Sequence, residues 1–153
     1  MSLTPQLSSP AIRDQMIERA RRLRADSPGA WGRMTAHQMV WHVTGALQSA
    51  LGELDLPDLG NWFSRSVVRY VALHTSLAWP KGTPTSPVLD AARHPPPTTP
   101  FDDDLRTLCE CLDRFSRANV NGRPHVVFGP MSQDEWQHWG WRHTDHHFRQ
   151  FKL

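Results

Sequence analysis

Three histidines fall within five positions near the end of this chain, in WRHTDHHFRQF, residues 141–151. His143 and His147 are four apart. On a helix of about 3.6 residues per turn their side chains project about 40° from one another, so both rings face one side. That is a two-point grip on a transition metal. The spacing alone is a weak signal, since nine histidines in 153 residues supply about half such a pair by chance. The neighbours strengthen it. Trp136, Gly140, His143, His147 and Phe151 share one stripe, and His138, Arg142, Asp145 and Arg149 share another, which the pattern assigns to solvent. Neutral imidazoles on an aromatic face cost free energy unless their nitrogens find partners. A divalent cation is one such partner. His42, on the apolar face of an earlier helix, can complete a three-histidine site with a coordination position left for water or substrate. Imidazole nitrogen suits Zn or Ni first, then Fe, Mn or Cu, over Mg or Ca.

A plainer reading competes: His42, His143 and His147 are boundary histidines bonded to backbone or water. His146 lies about 100° from His147 and points elsewhere unless it serves behind the ligands or in proton transfer. Gln150 can orient a ligand or be an ordinary surface amide. His74 reads as a satisfied core histidine and His37 as exposed. The motif is not a HExxH metalloprotease, because Thr144 stands where the glutamate base belongs. Cys109 sits beside an apolar stripe and reads as inert packing. No GxSxG, P-loop or GxGxxG is present, so no catalytic residue is assigned.

Five helical patterns separated by proline and glycine must position these groups, and no convincing strand appears. The first runs from about Pro10 to Arg24, capped by Ser9, with Ile12, Met16, Ala20 and Leu23 inward and a solvated face rich in arginine, interleaved with Asp14 and Glu18. The second runs from about Ala36 to Glu53. Thr35 and Gln38 form a capping box, and Met39, Val43, Ala46, Leu47 and Ala50 make its buried face together with His42. The third, about Trp62 to Ala78, carries Phe63, Val67, Val71 and Leu77, and WPKG stops it. The fourth, about Asp102 to Ala118, repeats Leu105, Leu108, Leu112 and Phe115. The fifth, about Gln133 to Phe151, opens on a second capping box, Ser132 with Glu135, stapled by Met131 and Trp136. Between the third and fourth lies a proline-rich stretch, residues 80–100. It is long for a loop and fits a crossover, a lid or an extra short helix.

The totals fit a single domain over residues 1–153 that builds a core without disulfides. A formal net charge of +2 does not point to nucleic acid. Cys109 and Cys111 are two apart and point away from each other on a helix, which suits free thiols in a reducing compartment. MSLTPQLSSP has neither a basic nor an apolar signal region, and no run reaches about 18 apolar residues. A cytoplasmic protein without a membrane span is therefore expected.

WGRMTAHQMVWHV (31–43), WPKGTPTSP (79–87) and FGPMSQDEWQHWGWRHTDHHFRQF (128–151) resemble the DinB/YfiT-like superfamily, closest to a branch of unknown function. The similarity spans residues 9–151, and its most specific part is H-x-x-H-H-x-x-Q-F in the last helix. The resemblance implies an all-α four-helix bundle with a long crossover. It also implies a divalent metal held by one histidine of the second helix and the HxxxH pair of the last, here His42, His143 and His147. Some members are thiol-dependent transferases or isomerases, in which metal activates a low-molecular-weight thiol, and homodimers are common among them. The expectation is a metal-dependent enzyme acting on a small-molecule substrate, with Trp139 and Trp41 as walls of its pocket. The alternative is a non-catalytic, stress-related metal-binding helical module.

Overall fold

The computed structural model describes residues 5–153, so the first four residues of the MSLTPQLSSP start lie outside the described residues. The molecule is mostly helical. Four longer helices send side chains into one apolar cluster: α1 (Pro10–Arg21), α2 (Ala36–Leu51), α4 (Phe101–Arg117) and α5 (Gln133–Gln150). A shorter α3 (Arg69–His74) comes after a π turn, Ser64–Val68. Helix α4 packs on α1 and α2, and α5 reaches α1, α2 and α3.

Both predicted capping boxes form. Thr35 Oγ1 accepts from Gln38 N while the Gln38 side chain accepts from Thr35 N, and Ser132 and Glu135 repeat the arrangement. Each box satisfies two N–H groups that a helix start leaves unpaired, which fixes where α2 and α5 begin and hence where their histidines point. Helix α4 carries Asp102, Asp103 and Asp104 in its first turn and Arg114 and Arg117 in its last, matching the helix dipole. Leu108, Leu112 and Phe115 are its buried row.

Residues 80–100 cross α2 as a strap with two short 3-10 turns, Pro87–Leu89 and Ala91–Arg93. Gly45 lets it come close. A Cβ there would sit 2.6 Å from Leu89 Cδ2, so a side chain at this position would have to displace the Leu89 side chain.

Several sequence expectations need correction. Helix α1 stops at Arg21 instead of Arg24, because the Arg22 and Leu23 N–H groups tighten onto the Arg19 and Ala20 carbonyls. Ser9 stands at its cap position without a side-chain bond. A two-residue antiparallel pair, β1 (Pro124–His125) with β2 (Gly129–Pro130), was not anticipated. The third helix ends at His74, and its expected core stripe faces outward: Phe63, Val67, Val71 and Leu77 are exposed while Leu73 is buried. Phe63 ahead of the π turn and Val71 after it are both exposed, so the stripe is apolar but no described element covers it.

The supposedly solvated face of α5 is largely covered. Asp145 is buried and takes Arg19 of α1 on one oxygen and Arg149 on the other, each at 2.7 Å. His138 is buried with Nδ1 2.7 Å from the Pro5 carbonyl. Arg142 donates to the Thr75 and Leu77 carbonyls. Arg19 is therefore a bridge between helices and not part of a solvated arginine face. His37, expected exposed, is half-buried and pairs with Asp104 at 2.7 Å.

Gly140 marks the tightest approach to α5. A Cβ there would lie 2.5 Å from Phe115 Cε1 and 3.0 Å from Leu7 Cδ1. Gly140→Ala gains about 1 kcal/mol of helix propensity but overpacks the core by about 1–3 kcal/mol. The expected result is a net loss of stability, read as a lower urea midpoint; an unchanged or raised midpoint would contradict this packing.

Candidate metal centre

His42 projects from the buried face of α2, and His143 and His147 project from one face of α5. The two helices bring them together. Ring centroids are 5.3 Å apart for His42 and His143, 4.7 Å for His42 and His147, and 4.8 Å for His143 and His147. One ring nitrogen from each lies within 4.8 Å of the other two. His42 is buried and the other two are partly so.

Two of the rings are oriented from behind. His42 Nδ1 donates to the Leu89 carbonyl at 2.8 Å, which leaves Nε2 with the lone pair. His147 Nδ1 donates to Gln150 Oε1 at 3.1 Å, while Gln150 Nε2 donates to the Trp31 carbonyl at 2.9 Å. The second bond fixes which end of the amide faces His147. An acceptor behind each imidazole sets its tautomer and raises its basicity as a ligand. Gln150 is buried, not a surface amide, and lies behind the His147 ring.

His143 differs. Its Nδ1 is buried and has no hydrogen-bond partner. Its ring stacks on Trp139 at 4.9 Å and 12°, and Trp139 in turn meets His125 edge-on at 5.1 Å. His146 stands edge-on behind His147 at 5.2 Å, toward Trp31 and Trp79, and is outside the three-nitrogen group.

Burial governs the protonation of the site. It pushes His42 down despite the opposing Leu89 carbonyl. It pushes His143 well down, helped by repulsion from His147 and His42, and holds His147 at about 3. All three are neutral near pH 7, with lone pairs available. Three imidazoles with no carboxylate make a donor set for a borderline transition metal. Among the described residues no hydrogen bond ties up the His143 ring, so it too can offer a lone pair. The residues therefore fit a divalent ion.

Some of this was beyond sequence reading. The Leu89 carbonyl lies in the proline-rich strap, where no periodicity exists. Trp79, read as part of a helix stop, lies 6.3 Å from His143. Trp41, expected as a wall, tilts against His94 of the strap instead; among the described residues no ring contact ties it to the cluster. His125 sits in the short β pair, off any helical stripe. Its Nδ1 accepts from the Val127 and Phe128 N–H groups, and burial holds it at about 3. His74 is not in the core: it stacks on Tyr70 and lies 3.2 Å from Glu135. Burial alone would raise the Glu135 carboxyl, but Arg69, Ser132 N–H and His74 outweigh it and hold it at about 2.

The low values of His147 and His125 fix a pH dependence. Above pH 6.5 these rings are neutral in both folded and unfolded chains. Below it the unfolded chain takes up protons that the folded chain refuses. Metal-free protein is expected to lose stability steadily as pH falls from 6.5 toward 3. Denaturant midpoints at about pH 7.5, 6 and 5 check this, and a flat series would mean that the rings are freely solvated.

A family described as a protein of unknown function (DUF1569) matches residues 13–153. No curated protein and no solved structure matches the chain.

Proposed function

The chain belongs to the DUF1569 family, whose function is unknown, and from its own three-histidine cluster we propose that it is a divalent-metal-dependent enzyme of the DinB/YfiT-like type. The observation that carries this reading is the convergence of one ring nitrogen from each of three imidazoles within 4.8 Å, two of the rings already oriented from behind. Neutral imidazoles gathered at one point cost free energy unless their lone pairs find a partner, and a divalent ion would engage all three at once. The four helices around one core, and the strap crossing α2, support the bundle with a long crossover that the resemblance implies, formed as a single domain.

His42, His143 and His147 would hold the ion, Zn or Ni first. When bound, the metal supplies Lewis acidity that favours the anion of a coordinated thiol or water at neutral pH. The chain's residues do the rest. The Leu89 carbonyl and Gln150 keep two rings in the ligating tautomer, and Trp139 holds the third flat. The protein's own thiols do not compete as nucleophiles, because burial pushes both Cys109 and Cys111 up. The nucleophile would then be the coordinated thiol or water, and the superfamily resemblance favours a low-molecular-weight thiol in a transfer or isomerisation reaction. Free cysteines suit a reducing cytoplasmic setting, and the balanced charge gives no reason to invoke nucleic acid.

Protein purified without an affinity tag is expected to carry about one equivalent of transition metal, and single His→Ala changes at 42, 143 and 147 should each remove it. Gln150→Leu should weaken metal binding about 10–100-fold. Elemental analysis checks both, and metal content unchanged in all three histidine variants would end this reading. Metal that raises thermal stability without turnover of any small thiol would favour the non-catalytic module.

We also propose that the enzyme works as a homodimer through the outward face of residues 59–77. Leu59, Trp62, Phe63, Val67, Val68, Tyr70, Val71 and Leu77 are exposed there, and no other described residue of comparable size and hydrophobicity is. Together they present on the order of 800 Å² of surface, the amount one partner brings to a stable interface. The nearby Arg65 and Arg69 are neutralised within the chain by Asp58 and Glu135, so the face does not favour an anionic partner. Sedimentation velocity should give a dimer that Trp62→Ser with Tyr70→Ser converts to monomer. A monomeric wild type at micromolar concentration would remove the proposal.

A further inference from the structure

Outside the histidine cluster, the flank of α5 faces the segment between α3 and the strap across a groove of about 580 Å³. That lies within the range of small-molecule sites, about 300–1,000 Å³. Three indoles, Trp31, Trp79 and Trp141, contribute to its lining, together with Lys81, Arg142 and His146. Trp79 joins the groove to the cluster: its ring is 6.2 Å from His146 and 6.3 Å from His143.

The charges of the groove do not balance. Asp145 is the only acid among the described residues that line it, and both its oxygens are taken by Arg19 and Arg149. Arg142 is spent on two carbonyls and lies over Trp79 at 5.4 Å. Lys81 has no carboxylate partner among the described residues. Its ammonium sits 4.5 Å over the Trp31 ring, an attraction of about 0.5–1 kcal/mol at an exposed site. An anion can engage this cation while the ammonium keeps its place above the ring.

From these contacts we propose that the groove binds a small organic anion with a flat apolar body, the aryl carboxylate class. The ring lies against the indoles, whose faces favour offset stacking or edge contact. The carboxylate meets Lys81. Seated there, the ligand shares Trp79 with the histidine cluster, so one end of the substrate is held while the other approaches the proposed metal. The inference rests on the metal-enzyme reading for its catalytic meaning, but the binding itself does not.

The probe is 2-naphthoate, with neutral 2-naphthamide as control, titrated calorimetrically into the full-length protein. Naphthoate should bind more tightly than the amide, and added salt should narrow the difference. Lys81→Gln, at an exposed position, should weaken naphthoate about tenfold and leave the amide unchanged. Trp31→Ala should weaken both. His42→Ala should leave naphthoate binding intact. Equal affinity for acid and amide, indifference to Lys81→Gln, or loss of binding in His42→Ala would each overturn the proposal, the last because the carboxylate would then be sitting on the metal. Protein that binds naphthoate through Lys81 but takes up no transition metal keeps the groove and removes the metal enzyme. Metal-loaded protein that ignores naphthoate does the reverse.

Discussion

Burying three uncharged imidazoles around one point is the constraint on which the structure turns. A ring nitrogen removed from water needs a partner, and two rings can each be served by an acceptor behind them. The third has no acceptor behind it: its face is stacked on Trp139, and no hydrogen bond to it is formed among the described residues. What remains is a buried ring whose neighbours oppose its protonation. A proton is a poor occupant of such a site. A soft-to-borderline cation is a good one, because it accepts three lone pairs at once.

The surrounding fold serves that constraint at three removes. The capping boxes fix the starts of α2 and α5, and so the rotation of the faces that carry the histidines. Gly45 gives up a side chain so that the strap can lie against α2 and present the Leu89 carbonyl to His42 three residues earlier. The loop before α2 offers the Trp31 carbonyl to Gln150, which then has one orientation left for His147. The two backbone acceptors lie outside the longer helices: Leu89 ends a short 3-10 turn of the strap and Trp31 lies in the loop before α2. Their carbonyls are not engaged in an α-helical ladder and are therefore available. The ionic clamp of Arg19, Asp145 and Arg149 ties α5 to α1 on its other side, which limits how far the cluster can open.

How legible this was depended on the kind of signal. The ligand candidates were visible because His143 and His147 obey helix periodicity and His42 shares a face with Met39, Val43 and Leu47. The caps were visible because they are local chemistry over four residues. Gln150 was visible as a neighbour one turn from His147. The outward stripe of residues 63–77 misled for the same reason that others succeeded. Periodicity says that a face is apolar but not what covers it, and here Phe63 before the π turn and Val71 after it are both left open. The polar face of α5 misled in the opposite sense, since charged groups can be buried when they meet each other, as Asp145 and Arg19 do.

The sequence by itself determined the helical class, the start of the two ligand-bearing helices and the set of histidines able to share a face. These come from hydrogen-bond geometry and spacing within a few residues, and they hold whatever the rest of the chain does. Only the tertiary structure decided that α2 and α5 lie side by side, that the strap's Leu89 carbonyl stands behind His42, and that of the three rings His143 alone has no hydrogen bond among the described residues. Those are contacts between residues tens of positions apart. They are set by how whole helices pack and where loops close, which no local pattern encodes.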